Sequence, residues 1–392
     1  RHVLGADVNP AAGARDPLDP RDHRHVARGV FQIDTDGLLG ALFGELVVRD
    51  EAFVFEDLGD VAFDSIKDLI KAVPNLIKMR SWNTLYSLVA KHIQDPQLRQ
   101  VLSFHPLLIG GNPFSVTRTY ALINSLESKW GVHSAMGGTG SIIAGLVGLL
   151  NGLGVSIRYA STVKKINIVD NKVTGVTLEN GDVLFANKVV ANADTAWTYK
   201  NLIDPEYRKV WTDQKIKNGK YSMSLFVWYF GTKKQYPQVP HHMMLLGERY
   251  KELLDDIFKH HRLAKDFSLY LHRPTATDPS LAPQGCDTFY ALSPVPHLDS
   301  GTDWSEVAES YRQSIAKMLS ESVLPGLEEN LVESFVMTPQ DFQDRLLSYK
   351  GAAFGLEPIL TQSAWFRPHN RSEEIDGLYM VGASTHPGAG IP

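Results

Sequence analysis

The sequence predicts an α/β fold: a helical region, then a helix followed by a β-meander, then a mixed sheet. Three observations carry this. Ile66, Leu69, Ile70, Val73, Leu76 and Ile77 recur at spacings of three and four, the pattern of a helix with one apolar face. The apolar run 141–150 precedes a series of short alternating segments, the signature of strands after a helix. Residues 221–231 (YSMSLFVWYFG) and 289–294 are rich in β-branched and aromatic side chains and read as buried strands.

A length of 392 residues suffices for two or three domains and a substantial core. The composition, 43% hydrophobic and 21% charged, is that of a globular protein rather than a disordered chain. A net charge of -5 argues against a general nucleic-acid binder, whose affinity rests on a basic surface. The one cysteine, Cys286, excludes an internal disulfide and a multi-cysteine metal site, so no metal centre is expected and a reducing compartment is permitted, the cytoplasm by default. We find no signal-peptide pattern and no apolar run long enough to cross a bilayer, so membrane contact is expected to be peripheral.

Five regions follow in order. Residues 1–52 form an atypical N-terminal segment. Within it, 1–28 is rich in Asp, Arg, His, Pro and Ala and reads as a tail, and the cluster Leu38, Leu39, Leu42, Phe43, Leu46, Val47 and Val48 fits one helix or strand. His23 and His25 belong to that solvated tail rather than to a metal site. Residues 53–130 are mainly helical. Lys67, Lys71, Lys78 and Arg80 flank the apolar face, and Pro74 is expected to kink or divide the helix. Such a basic amphipathic segment suits an anionic membrane surface, and equally a helix packed on its own domain with lysines in water. Residues 131–200 hold the helix 141–150 and strands at 155–159, 163–169, 173–178, 183–185 and 188–190, with Asn180-Gly181 as a hairpin turn. Residues 201–345 hold the two buried strands and helices at 248–258 and 304–319. Residues 346–392 return the chain to a strand at its glycine-rich end.

That end, 378–392 (LYMVGASTHPGAGIP), is an apolar strand-like run leading into glycines, which allow sharp turns and close approach of a flat ligand. It reads as a cofactor loop or as an ordinary strand exit. Gly382-Ala-Ser384-Thr-His386 begins like a hydrolase nucleophile elbow, but His386 stands where the closing glycine belongs. Gly137-Gly138-Thr139-Gly140 resembles a phosphate loop, yet Ile143 replaces the third glycine and no Lys-Ser/Thr follows. Asp68 and Lys71 share a helix face and read as a surface ion pair. In 104–114 (FHPLLIGGNPF) the turn at Gly110, Gly111 and Pro113 leaves Phe104 and Phe114 facing a cavity or simply makes a corner.

Residues 351–371 (GAAFGLEPILTQSAWFRPHNR) with 378–392 resemble the C-terminal signature of bacterial-type phytoene desaturases, carotenoid desaturases of the amine-oxidase-like flavoprotein superfamily. The segment 104–114 and the runs SLFVWYFG, DFSLYLHRP, SLAPQG and SPVPHL resemble the same family, from about Phe53 to the end of the sequence. This sequence has Ser384 where members carry a glycine and Lys71 where they commonly carry arginine. No match to the family's N-terminal strand and GxGxxG turn is found, and members continue past Pro392 into a helix. The resemblance therefore implies an incomplete Rossmann-like FAD domain of the two-dinucleotide-binding type, with a mixed-sheet substrate domain and a helical membrane-associating region. It implies FAD contacts at Val163, Gly382, Ala383, Ser384, Gly388, Ala389, Gly390, Ile391 and Pro392. It implies acid-base roles for Asp68 and Lys71, a substrate channel at Phe104, Phe114, Trp365, Phe366 and Arg367, and a positioning role for 137–140.

The implied reaction is FAD-dependent desaturation of phytoene toward lycopene or neurosporene, with oxygen or a quinone reoxidising the flavin. At ~0.8 kcal/mol per CH₂, taking a forty-carbon polyene from bilayer to water costs on the order of 30 kcal/mol. The partners expected are thus phytoene and later carotenes, delivered at a membrane surface, on the cytoplasmic inner face of the cell membrane. A carotenoid isomerase or ketolase, or a catalytically inactive, truncated carotenoid-binding chain, are the alternatives.

Overall fold

The computed structural model describes residues 30–31, 63 and 65–390. Its largest element is a six-stranded sheet ordered β1-β7-β8-β9-β6-β10. The strands are β1 (Val30–Phe31), β6 (Ser224–Thr232), β7 (His242–Leu245), β8 (Leu269–His272), β9 (Asp287–Val295) and β10 (Leu331–Met337). Side chains alternate across a strand, and β6 supplies both cores. Phe226, Trp228 and Phe230 face helix α8 (Trp304–Ser322), packing on Trp304, Tyr311, Ile315 and Leu319. Leu225 and Val227 face the other way, onto Tyr250, Leu253, Leu254 and Ile257 of α7 (Tyr250–Phe258). Covering both faces explains why the run is apolar throughout rather than alternating. The buried indole N–H of Trp228 donates to Ser334 Oγ on β10 at 2.7 Å.

Every pairing in this sheet is antiparallel, not mixed as expected. After α7 the chain returns to the end where β7 finished, so Leu269 pairs with Leu245 and β8 runs back along its neighbour. The strand Val30–Phe31 joins the edge, so this dipeptide of the atypical 1–52 segment, just past the expected tail, is a sheet strand. The remaining expectations for 1–52, including His23, His25 and the apolar cluster, lie outside the described residues.

A second unit contains the meander β2 (Val163–Val169), β3 (Lys172–Leu178) and β4 (Val183–Phe185). Asn180-Gly181 turns β3 into β4, with Gly181 at φ 90°. Asp170 and Asn171, at φ 50° and 58°, turn β2 into β3, a type of two-residue loop that favours such residues. Residues 155–159 are not a strand. The parallel pairing falls here instead: β5 (Val189–Ala191) beside β11 (Leu378–Met380). Leu378 and Met380 pack with Ile166, Ile168, Val173, Tyr199 and Trp211.

The helical region comprises α1 (Ile66–Lys78), α2 (Leu85–His92), α3 (Pro96–Ser103), α4 (Leu122–Trp130) and α5 (Thr139–Gly152). Thr84 caps α2 and Asp95, before Pro96, caps α3. Contrary to expectation, α1 runs undivided through Pro74. The proline removes one backbone donor, while Leu69, Ala72 and Leu76 anchor the same face on both sides of it. Helix α5 has no buried residue, although it is the most apolar of the five. Among the described residues no helix is long and apolar enough to cross a membrane. A short α6 (Asp213–Asn218) and α9 (Pro339–Leu346) complete the elements used below.

Candidate functional site

A cavity of about 350 Å³ lies under α1. Leu69, Ala72 and Leu76 form its roof, and Ile109, Leu122, Ile123 and Leu126 one wall. Phe366 and the backbone of His386 to Gly390 close the other side. Polar groups are few: Ser81, Thr117, Thr119, Tyr120, Ser363 and His386. The His386 ring meets Phe63 edge-on, with centroids 5.4 Å apart. Tyr120 and Ser363 hydroxyls stand 3.5 Å apart across the lining.

The glycine loop reaches this cavity because β11 delivers it and a buried arginine holds it. The Arg367 guanidinium donates to the carbonyls of Thr385 (2.9 Å), Leu356 (3.1 Å), Gln362 (3.4 Å), Phe354 (3.3 Å) and Ala383 (2.6 Å). Burial pulls its pKa down, with Tyr120 and Asp194 opposing. Ser384 is packed inward: its hydroxyl accepts from Thr195 N–H at 2.8 Å and lies 2.9 Å from Thr195 Oγ1. Beside it, burial pushes the Asp194 carboxyl up to about 6, although it accepts the Trp197 N–H at 2.9 Å. A Cβ on Gly382 would meet Asn192 Oδ1 at 2.7 Å, so this glycine serves close packing. Gly388 and Gly390 have φ 127° and 116°, and among the described residues nothing lies within 4 Å of a Cβ built on Gly390, whereas one on Gly388 would meet Arg367 Nε at 3.8 Å. The backbone at Gly390 leaves room among the described residues for close approach of a planar ring.

The expected site residues therefore divide. Gly388, Ala389, Gly390 and Phe366 line the cavity. Gly382, Ala383 and Ser384 form the neck of the loop, turned onto Asn192 and Thr195 or held by Arg367, and do not line it. Arg367 is the tie of that neck rather than a channel wall. Trp365 stands beside it, 5.4 Å from the Phe366 ring, and also stays off the lining. Val163 opens β2 in the separate meander, away from the cavity. Ile391 and Pro392 lie outside the described residues. Phe104 and Phe114 make the corner, not the channel: Phe104 is buried with Leu225 and Val227, and Phe114 packs on Tyr86 at 4.3 Å. Their turn is pressed against the 351–357 segment, since a Cβ on Gly110 would meet Phe354 at 2.7 Å and Ser115 donates to Glu357 at 2.5 Å.

Asp68 and Lys71 sit 3.7 Å apart on the flank of α1, the lysine side chain 80% exposed, and neither lines the cavity. The Gly137 N–H donates to the Asp278 carboxylate at 2.7 Å, so a protein acid holds the place a phosphate would take. Tyr120, Ser363 and the α1 face were missed by motif reading. Their signal was only the three-and-four spacing of Leu69, Ala72 and Leu76, which does not say what a face covers.

A parallel pair beside a meander, a separate antiparallel sheet, and a glycine loop opening on an apolar cavity make this an α/β protein. The same fold is seen in an oxidoreductase from Methanosarcina mazei (TM-score 0.56, 18% identity, covering 83% of this chain and 68% of that one). It is seen also in an engineered putrescine oxidase (TM-score 0.52, 10% identity, covering 90% and 71%). Residues 83–392 match the model of the flavin containing amine oxidoreductases, and the chain belongs to that family, whose cofactor is a flavin. It is 49% identical over 345 residues to a neurosporene-forming phytoene desaturase from Cereibacter sphaeroides, covering 87% of this chain and 66% of that protein. It is 46% identical over 336 residues to a lycopene-forming phytoene desaturase from Pantoea ananas, covering 86% and 68%. The chain thus spans about two thirds of the length of these curated relatives.

Proposed function

We propose that the chain belongs to an FAD-dependent desaturase that converts phytoene toward neurosporene or lycopene, docked on the cytoplasmic inner face of the cell membrane. The observation that carries this reading is the apolar cavity roofed by α1, with the open glycine backbone on its far side. When bound, the flavin takes up the hydride removed at each dehydrogenation. Gly388, Ala389 and Gly390 would hold the edge of its ring system. The apolar walls from Leu69, Ile123, Leu126 and Phe366 orient a polyene segment and exclude water. His386 faces the same space and is placed to take the proton lost from the adjacent carbon.

Helix α1 also supports membrane docking. Its outer face exposes Ile66, Ile70, Val73 and Ile77 in one stripe, with Trp82 beyond and Lys67, Lys71, Lys78 and Arg80 alongside. Apolar side chains with lysines along one flank suit an anionic bilayer surface. The lipid-facing stripe and the cavity roof lie on adjoining faces of one helix, roughly a quarter-turn apart at about 3.6 residues per turn, so substrate leaving the bilayer has a short path to the site. Asp68 and Lys71 then act at that surface rather than on the reacting carbon. Oxygen or a quinone would reoxidise the flavin.

Incubating the FAD-reconstituted protein with phytoene in liposomes tests the reading by chromatography of the products. Neurosporene or lycopene is expected. Conversion of later carotenes alone would favour an isomerase or ketolase, and failure to retain FAD would leave carotenoid binding as the function of this chain.

A further inference from the structure

The adjacent histidines His241 and His242 are joined by His272, 30 residues further on, at the end of the β7–β8 pair. His242 and His272 are directly opposite in register, so their side chains share a sheet face. His241, one residue ahead of β7, is held by the hydrogen bond from Arg273 N–H to its carbonyl at 2.9 Å. One nitrogen from each ring lies within 4.8 Å of the other two. His241 Nε2 and His272 Nε2 face each other at 2.7 Å. Two of the opposite nitrogens are engaged by hydroxyls, His241 Nδ1 with Thr277 Oγ1 at 2.5 Å and His242 Nδ1 with Tyr270 at 2.5 Å, while the buried His272 Nδ1 has no hydrogen-bond partner among the described residues. This is how metal-binding imidazoles are oriented, the outer N–H donating to an oxygen while the inner lone pair stays available.

We propose that His241, His242 and His272 form a three-imidazole site for a divalent cation of the zinc class, with a fourth position open to water beside Ser134. Ser134 Oγ lies 3.4 Å from His241 Nε2, which sets that side of the site. The nearest fixed cation, Arg273, is neutralised by Asp287 at 3.1 Å. Tetrahedral zinc with Zn–N of about 2.0–2.1 Å sets its nitrogens ~3.3 Å apart, so His241 and His272 need to part by a little over half an ångström. Imidazole-only ligation favours zinc, cobalt, nickel or copper over magnesium or calcium. The ion would clip β7 to β8 and to the segment leading into α5. The expectation of no metal centre rested on the single cysteine and on His23 and His25, and it passed over the adjacent pair His241-His242, whose third partner His272 is 30 residues on.

The test uses the tag-free, chelator-treated protein titrated with Zn²⁺ by calorimetry and with Co²⁺ by visible absorption. One equivalent of each is expected, with X-ray absorption giving three nitrogen neighbours at the distance above. His241→Gln and His272→Gln should abolish binding with near-ultraviolet circular dichroism unchanged, and Thr277→Val should weaken it roughly tenfold. No saturable binding by the wild type overturns the proposal. So does undiminished binding by both histidine variants, or an oxygen-only shell. Should the histidine variants unfold, the wild-type shell and Thr277→Val decide alone.

Discussion

Arg367 joins five carbonyls from three stretches of the C-terminal segment, and no other side chain has that fork geometry. Arg367→Lys should keep the charge yet lose most of these bonds, lowering stability by about 3 kcal/mol in urea unfolding. Released flavin on gel filtration should accompany the loss. Asp194 gives a pH signature of known sign. Its folded pKa, about 6, is above its ordinary 3.8, so the folded state binds the proton more tightly. The contribution of Asp194 to stability is fully present below about pH 4 and is lost as pH rises through 6, about 3 kcal/mol over roughly two units. Asp194→Asn keeps the capping oxygen, so unfolding should show no change at pH 4 and a gain approaching that amount at pH 7. At this scale the sequence was legible for residue type and poorly legible for role. Arg367 and Ser384 were singled out, but whether a side chain in a glycine-rich motif meets ligand or backbone depends on what folds against it. Here Thr195 and Ala383 do.

Helix α1 shows what one element does with two apolar faces. Amphipathic spacing identified the helix and its lysines but merged Leu69 and Leu76 with Ile66, Ile70, Val73 and Ile77 into one face, and left out Ala72. Only the packed neighbours separate roof from outer stripe. Ile70 and Ile77 are 63% and 57% exposed, so an Ile70→Glu/Ile77→Glu variant should fold normally. It should also lose sedimentation with anionic liposomes, by tenfold or more at roughly 1.4 kcal/mol per decade. Unchanged sedimentation would remove α1 from docking. The strands 163–169 and 183–185, and the helix starting at Trp304, were readable because period and turn residues agree locally. The hairpin at Asp170-Asn171 was not, since neither residue is glycine and only the fold demands positive φ at both.

Across the whole molecule, the sheet with α7 and α8 carries two dense cores, whereas α5 exposes Ile142, Ile143, Leu146, Leu149 and Leu150 together. A contiguous apolar surface of this kind binds hydrophobic dyes. An Ile143→Lys/Leu149→Lys variant should reduce ANS fluorescence with far-ultraviolet circular dichroism unchanged. Undiminished fluorescence would mean that α5 is covered in solution. The antiparallel run of the large sheet was beyond the sequence, because strand direction is decided by where loops return the chain. The contact that brings the glycine loop to the cavity joins Thr195 to Ser384 across 189 residues, while every strand of the large sheet ends by Met337. Domains fold from the N-terminus onward as they emerge during synthesis. During synthesis, then, the large sheet has its partners in hand early, and the floor of the cavity assembles last, so a pause or cleavage late in translation would yield a well-folded sheet without a working site.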